Sequence, residues 1–196
     1  MSSLKQTPSQ TVGPYFAYGL CPQQYGYDMT SLFSPTAATL DTAGEHVTIV
    51  GNVFDGSGNA VNDALIETFQ ADAQGKYVQS VDQAKATGFT GFTRTGTGTD
   101  AELRFIIDTI KPGCLDVESA PHIDFIVMMR GMLLHAYTRL YFDDEMERNA
   151  TDPVLMSVPK ERRPTLIAQR INGILKPTYR FDIYLQGPAE TVFFDV

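Results

Sequence analysis

The chain has 196 residues, of which 43% are hydrophobic and 19% are charged. This composition supplies ample material for a core and excludes intrinsic disorder, which combines low hydrophobicity with high charge. The 23 Asp and Glu residues outnumber the 15 Lys and Arg residues, so the formal net charge is −8. A chain this acidic is a poor binder of nucleic acid or of anionic membranes. Its length suits one domain.

No segment has the pattern of an export signal or of a membrane span. The N-terminus lacks an apolar run of the signal-peptide type, and the most apolar stretch, 123–134, contains Asp124 and Arg130. The two cysteines, Cys21 and Cys114, are too few for a disulfide scaffold. These features predict a cytoplasmic protein that contacts no membrane.

Apolar residues recur with a period of two along much of the chain, and this period predicts β-strands. The candidate strands, in chain order, are 46–54, 64–70, 103–107, 123–129, 178–186 and 191–196. The first two are separated by 55–59, whose Asp-Gly-Ser-Gly-Asn sequence is typical of a turn.

Helical patterns are few. Residues 143–150 are highly charged and predict one or two helical turns, whereas 165–171 fits a helix or a strand equally well. Prolines interrupt any longer helix between these two segments. Many short strands joined by Gly- and Pro-containing turns predict an all-β fold, an antiparallel β-sandwich with little helix.

The first 45 residues differ from the rest, because they are polar and rich in Gly, Pro and Tyr. We expect 1–45 to form an extended N-terminal arm with loops, and 46–196 to form the β-sandwich. The sequence shows no internal repeat and no linker that would divide it further.

His122 and Asp124 are the first candidates for a metal site, because residues two apart on a strand project from the same face. Most metal sites need three or four ligands, however, and His46 and His135 are distant in sequence. The pattern therefore favours a polar pair that is satisfied by protein partners at the start of a strand or at an interface.

Other catalytic signatures are weak. The sequence contains no Gly-x-Ser-x-Gly elbow, and Cys114 has no base near it in sequence. The Thr-Gly run at 95–99 lacks the Lys and the spacing of a phosphate-binding loop. This run predicts a flexible surface loop.

Arg130 is the most informative charge, because it directly follows the apolar run 125–129. An Arg beside so much apolar surface requires a partner, either a carboxylate of the protein or an anionic ligand, and the sequence leaves both open. Arg139 poses the same question, and the acidic segment 143–145 is close enough in sequence to pair with it.

Several motifs together resemble the intradiol ring-cleaving dioxygenases, and they occur in the order of that family. They are 7–16 (TPSQTVGPYF), 51–72, 109–113 (TIKPG), 120–123 (APHI), 138–145 (TRLYFDDE) and 179–195. The resemblance spans nearly the whole chain and implies an intradiol-type sandwich over 46–196.

Active chains of that family hold a non-haem ferric ion with two tyrosines and two histidines, and this sequence keeps only one of the four. The His-x-His position reads His122-Ile123-Asp124, Leu115 replaces the tyrosine that should follow the Lys-Pro-Gly turn, and 78–88 contains no tyrosine. The resemblance therefore implies a chain that has no metal site and no catalytic residue of its own.

The resemblance implies an alpha-type subunit that shares an active site with a homologous, iron-binding beta chain. Together the chains would cleave 3,4-dihydroxybenzoate (protocatechuate) between its hydroxyls with O2 to give 3-carboxy-cis,cis-muconate, a step of aromatic catabolism in the β-ketoadipate pathway. Fe(3+) would be bound by the beta chain, the arm would pack on that partner, and alpha–beta pairs would form a higher oligomer.

The same resemblance assigns the substrate pocket of this chain to Thr11, Gly13, Pro14 and Tyr15 of the arm and to Arg130. Protocatechuate carries a carboxylate, so Arg130 would provide the cation that holds it. The alternative is a non-catalytic β-sandwich module, for binding or assembly, that has kept the fold and lost the chemistry. The intact Thr-x-Gly-Pro-Tyr segment together with Arg130 argues against that alternative.

Overall fold

Short strands form the framework of the chain. The computed structural model describes residues 5–171 and 176–195. The strands are β1 (His46–Phe54), β2 (Leu65–Phe69), β3 (Phe92–Gly96), β4 (Arg104–Ile110), β5 (His122–Met128), β6 (Ala136–Phe142), β7 (Ile167–Arg170), β8 (Thr178–Arg180) and β9 (Ile183–Tyr184). The helices of the described residues are short: α1 (Phe16–Leu20), α2 (Val81–Thr87), α3 (Met146–Asn149), α4 (Pro153–Ser157) and a 3-10 turn at Arg163–Leu166. The expectation of an all-β fold with little helix is confirmed.

The strands pair in the order β3-β2-β5-β6-β7-β8-β1-β4, and β9 also lies beside β1. Most neighbours are antiparallel, as expected for a sandwich of this type. The pairing is nevertheless partly parallel, because β1 runs in the same direction as β8 and β9, and β6 runs in the same direction as β7. Segments that are distant in sequence therefore complete the sheet.

The two ends of the sheet fold over a shared core. The Phe125 ring of β5 packs against Phe105 of β4 and against Phe181, which follows β8, with ring centroids 5.9 and 5.2 Å apart. Ile123 and Val127, which alternate with polar or half-buried residues along β5, have no exposed surface. The period of two therefore marks the buried face, as the sequence predicted, and burial of each such side chain stabilises the fold by about 1.5–3 kcal/mol.

The C-terminal strands differ from the prediction. The expected strand at 178–186 is interrupted after Arg180, where the main chain crosses β1 at close range. A Cβ atom on Gly51 of β1 would lie 1.8 Å from the Phe181 carbonyl oxygen, so only glycine permits this approach. Within 191–195 the only β-contact is a single bridge from Phe194 to Tyr137, and residue 196 lies outside the described residues.

The ambiguous segment 165–171 contains the end of the 3-10 turn and β7, so its pattern marks a strand. The charged segment 143–150 contains α3, as predicted. Helix α2 was not predicted, although its signals are present. The Ser80 hydroxyl accepts a hydrogen bond from the Gln83 amide at its N-terminus, and Gly88 with φ 68° ends it.

The Thr-Gly run begins within a strand and ends in an exposed turn at Gly98 and Thr99, so the expectation of a surface loop is wrong for its first half. Thr95 and Gly96 belong to β3, and Thr97 is completely buried. The glycines are required by the Tyr25 ring, because a Cβ atom on Gly96 would lie 2.2 Å from the Tyr25 hydroxyl. Close packing of the Tyr25 ring therefore explains why the run contains glycine at position 96.

The N-terminal arm packs in part on the sandwich of its own chain. Ala17 and Cys21 are buried against Leu65, and Ala37 is buried with Phe89 further along. Residues 5–15 are mostly exposed. Contact of the arm with a partner chain stays a prediction. Among the described residues, the structure contains no helix that is both long enough and apolar enough to cross a membrane.

Candidate functional site

The structure brings the arm next to the loop that carries Arg130. The Gly131 amide donates to Thr11 Oγ1 at 2.8 Å, and Thr11 Oγ1 also lies 3.5 Å from the Met129 carbonyl oxygen. Gly131 has φ 90°, a conformation that favours glycine and that turns the chain directly after Arg130. Two segments 120 residues apart, both identified from the sequence, therefore meet at this point.

The other arm residues of the predicted pocket form the turn into α1. The Phe16 amide donates to the Gly13 carbonyl at 3.1 Å, which closes this turn around Pro14. The Tyr15 side chain is 76% exposed, and its ring centroid lies 6.0 Å from that of Tyr18. Since α1 packs on the sandwich, the turn is anchored at one end while its side chains stay accessible.

Arg130 is paired with a carboxylate of the protein. Its guanidinium Nε donates to Asp63 Oδ2, and the side chain of Arg130 is 55% exposed against 16% for Asp63. Within the described residues, no hydrogen bond occupies the two terminal nitrogens of Arg130. The sequence left open whether Arg130 pairs with a protein carboxylate or with an anionic ligand. The structure shows a protein carboxylate at Nε, while the two terminal nitrogens of the guanidinium stay accessible.

A cavity of about 310 Å³ opens beside Arg130. Residues that line it include Asp55, Met129, Arg130, Ala136, Gln186 and Phe193. The cavity thus combines apolar walls with the Arg130 cation and the Asp55 carboxylate. The predicted arm residues Thr11, Gly13, Pro14 and Tyr15 do not line it.

The positions that the resemblance assigns to iron ligands hold residues with other partners. The buried His122 ring places Nδ1 2.7 Å from the Ala120 carbonyl oxygen, and Asp124 Oδ1 accepts from Arg139 Nε at 2.8 Å. Leu115 has no donor atom at all. His122 and Asp124 are therefore a polar pair with protein partners at the start of β5, which is the alternative that the sequence favoured.

The partner of Arg139, which the sequence left open, is a carboxylate of the protein, but it is Asp124 and not a residue of 143–145. Strand register places Arg139 of β6 directly opposite Asp124 of β5, while Asp144 and Glu145 both accept from Lys111, at 2.9 and 2.7 Å. Closeness in sequence was misleading, because Asp144 and Glu145, which follow β6, contact Lys111 directly after β4 and not Arg139.

The tyrosines near these positions, Tyr77 and Tyr141, are half-buried and buried, respectively. Burial raises the pKa of Tyr77, and the Asp124 carboxylate adds to the shift. Burial also raises the pKa of Tyr141, whose hydroxyl donates to Asp152 at 2.9 Å. In the part of the chain that the structure describes, no group of three or more His, Cys, Asp or Glu could hold a metal. His122 and Asp124 are engaged by protein partners and Leu115 offers no donor, so the residues at these positions do not fit a ferric ion.

Comparison with known proteins identifies the family. A family model described as dioxygenase matches residues 13–187. A protocatechuate 3,4-dioxygenase alpha chain from Burkholderia cepacia is 61% identical over 197 residues, which cover 100% of both chains. The chain belongs to this dioxygenase family.

Another relative within the dioxygenase family is a protocatechuate 3,4-dioxygenase beta chain from Burkholderia cepacia. It is 33% identical over 159 residues, which cover 76% of this chain and 67% of the relative. Among solved structures, the dioxygenase domain of a dioxygenase–carbohydrate-binding protein fusion from Streptomyces sp. SirexAA-E has a TM-score of 0.63 and 26% identity, with 96% and 100% of the two chains covered. The sandwich described above is thus the fold of the family.

Sequence reasoning missed the cavity-lining residues Asp55, Ala136, Gln186 and Phe193, and it also missed Asp63. Asp63 contacts Arg130 across 67 positions of the chain and stands in a loop without periodic pattern. The pairing of β2 with β5 brings the loop before β2 beside the end of β5. This register alone places Asp63 next to Arg130. No signal in the sequence alone could have found it.

Proposed function

We propose that this chain is the alpha-type subunit of an intradiol dioxygenase that cleaves protocatechuate between its two hydroxyls with O2 and forms 3-carboxy-cis,cis-muconate. The observation that carries the proposal is the 61% identity with a protocatechuate 3,4-dioxygenase alpha chain over the full length of both chains. The contact between Thr11 and the Arg130 loop supports it, since this contact joins the two predicted parts of the pocket.

In this proposal the iron belongs to a homologous beta chain. The existence of a beta-chain relative at 33% identity supports a complex of two related chains, and the donor set of this chain does not fit a ferric ion. Activation of the catechol and reaction with O2 would take place on the partner. This chain would contribute the pocket wall, recognition of the carboxylate and assembly into a cytoplasmic higher oligomer of alpha–beta pairs.

Arg130 would bind the substrate carboxylate through its terminal nitrogens. The net charge of −8 repels an anionic substrate, so a local cation is needed to hold it. Thr11 would fix the Arg130 loop, and the exposed turn formed by Gly13, Pro14 and Tyr15 would close the pocket from the arm side. Holding the carboxylate end of the ring orients the two hydroxyls away from this chain and toward the partner.

The test is reconstitution with a homologous beta chain, such as that of Burkholderia cepacia. Oxygen uptake and formation of the ring-opened product are measured for each chain alone and for the mixture. We expect turnover of protocatechuate only when both chains are present. A mixed complex that assembles but leaves protocatechuate intact would disprove the enzymatic proposal and leave the assembly module as the function.

A further inference from the structure

We propose that Asp63 is a positioning residue for Arg130, which orients the guanidinium so that its terminal nitrogens face the substrate carboxylate. This inference rests on the proposed function. It adds a specificity-determining residue that does not itself touch the substrate.

The geometry of the pair separates the two ends of the guanidinium. Asp63 accepts a hydrogen bond from Nε, the guanidinium nitrogen nearest the main chain. Within the described residues, the terminal nitrogens form no hydrogen bond. Those nitrogens form the planar fork that binds carboxylates in a bidentate manner. Since Asp63 is the less exposed partner, at 16% against 55%, it is the fixed end of the pair and Arg130 is the end that it directs.

The loop that carries Asp63 is held rigidly by the Thr-Gly run. The Thr97 hydroxyl donates to the Val61 carbonyl at 2.7 Å and accepts from the Ala64 amide at 3.2 Å, so it clamps the residues on either side of Asp63. A Cβ atom on Gly98 would lie 2.5 Å from the Asn62 carbonyl oxygen, so this contact also requires glycine. The run thus acts as a rigid support for Asp63.

Arg130 is therefore held from two directions. Asp63 fixes its side chain, and Thr11 fixes the backbone directly after it through the Gly131 amide. Without Asp63 the long side chain would sample several rotamers and would have to be ordered whenever substrate binds. Loss of Asp63 should therefore weaken binding of the substrate carboxylate and leave the rate of ring cleavage unchanged.

A competing role for Asp63 makes the opposite prediction. If its charge merely neutralised Arg130, removing that charge would strengthen binding of an anionic substrate. Asp63→Asn separates the two roles, because the amide oxygen still accepts from Nε while the negative charge is lost.

The experiment compares Asp63→Ala and Asp63→Asn with the parent chain, each assembled with the beta chain. KM and kcat are measured for protocatechuate and for catechol, which lacks the carboxylate. We expect Asp63→Ala to raise the KM for protocatechuate about three- to tenfold, with kcat nearly unchanged and catechol unaffected. Asp63→Asn should raise the KM for protocatechuate by about twofold.

Asp100→Ala is the matched control. Asp100 has a similar exposure, 19%, and also pairs with the Nε of an arginine, but that arginine is Arg104, which does not line the Arg130 cavity. This variant should lose stability and leave the ratio of the two substrates unchanged.

Three outcomes would overturn the inference: equal changes for both substrates in Asp63→Ala, no change in its KM for protocatechuate, or a lower KM for protocatechuate in Asp63→Asn. If Asp63→Ala does not assemble, Asp63→Asn decides alone, since a rise confined to protocatechuate supports positioning and any other result contradicts it. Failure of the proposed function itself is distinguishable, because the parent complex would then not turn over protocatechuate at all.

Discussion

Asp124 and Arg139 lie directly opposite each other on β5 and β6, and Arg139 Nε donates to Asp124 Oδ1 at 2.8 Å. The resemblance to the family assigns this position to a second histidine ligand, whereas the structure shows a carboxylate that forms one half of a cross-strand ion pair. Both side chains are mostly buried, with 30% and 22% exposure. The pair therefore binds two central strands together.

The isolated chain should bind no stoichiometric iron. His122 and Asp124 have protein partners, and burial raises the pKa of both Tyr77 and Tyr141, which disfavours their phenolate forms. Metal analysis of the purified chain, with a visible absorption spectrum, checks this. One iron per chain with a tyrosinate-to-iron absorption band would show the ligand assignment to be wrong.

Asp124→Asn should destabilise the fold by about 1–2 kcal/mol, because Arg139 would keep its charge in a mostly buried place without a counter-charge. Urea unfolding of the parent, of Asp124→Asn, of Arg139→Met and of the double variant measures the coupling between the two residues. The double variant should be more stable than Asp124→Asn. Additive effects of the two single changes would mean that the pair contributes no coupling energy.

Arg130→Ala in the assembled enzyme should mainly weaken binding of protocatechuate. Loss of a charge-assisted contact costs about 1.5–3 kcal/mol, or about ten- to a hundredfold in affinity. Catechol has no carboxylate, so its turnover should change much less, and the iron content should stay the same. A purely structural pair with Asp63 gives another result: a lower melting temperature and an equal loss for both substrates.

The chain should co-purify with a homologous beta chain through its arm. Obligate interfaces often exceed about 2,000 Å². Residues 5–15 are mostly exposed, so a chain that begins at residue 16 should keep its melting temperature and lose affinity for the beta chain. Size-exclusion chromatography with both chains measures this. Equal binding by the shortened chain would remove the arm from the interface.

Stability should fall with pH below about 6.5 because of His122. Burial, and then the Arg139 cation, lower the pKa of His122 from its ordinary 6.5. As the pH falls below 6.5, the unfolded chain binds a proton at this residue before the folded chain does. The contribution of neutral His122 to the free energy of unfolding is therefore fully present above pH 6.5. It decreases as the pH falls below 6.5, by at most about 1.4 kcal/mol per pH unit.

Urea unfolding between pH 5 and 7.5, for the parent and for His122→Gln, tests this dependence. The glutamine amide can still donate to the Ala120 carbonyl, so the variant should fold and show a flatter profile. Asp100, with a pKa of about 2, titrates well below this window and does not contribute. An identical slope in both proteins would assign the effect to another group.

The sequence predicted those strands that have one buried face. In β5, Ile123, Phe125 and Val127 face the core while Asp124 and Ile126 remain half-buried, so the period of two is visible without a structure. Strand β3 was missed because its Thr-Gly composition is typical of a loop, and the Tyr25 ring that explains the glycines comes from a distant segment.

The resemblance placed Thr11 and Arg130 in one pocket, but nothing in the sequence indicated the contacts that join them. The Gly131 amide meets Thr11 because of the way in which the arm crosses the sheet. Asp63 and the Asp124–Arg139 pair were missed for the same reason, since strand register decides which charges meet. Periodicity reports the face on which a residue lies, and it carries no information about its neighbour across the sheet.

The parallel pairing of β1 with β8 and β9 has a consequence for biosynthesis. A ribosome completes β1 first among the strands and β8 and β9 last, so one edge of β1 stays open until almost the whole chain has been made. Open edges accept any strand of suitable pattern. A related sandwich nearby would offer its own C-terminal strands to this edge, and that pairing would give a swapped assembly. Between the synthesis of β1 and that of β8, the strands of its own chain that pair with this edge are not yet present.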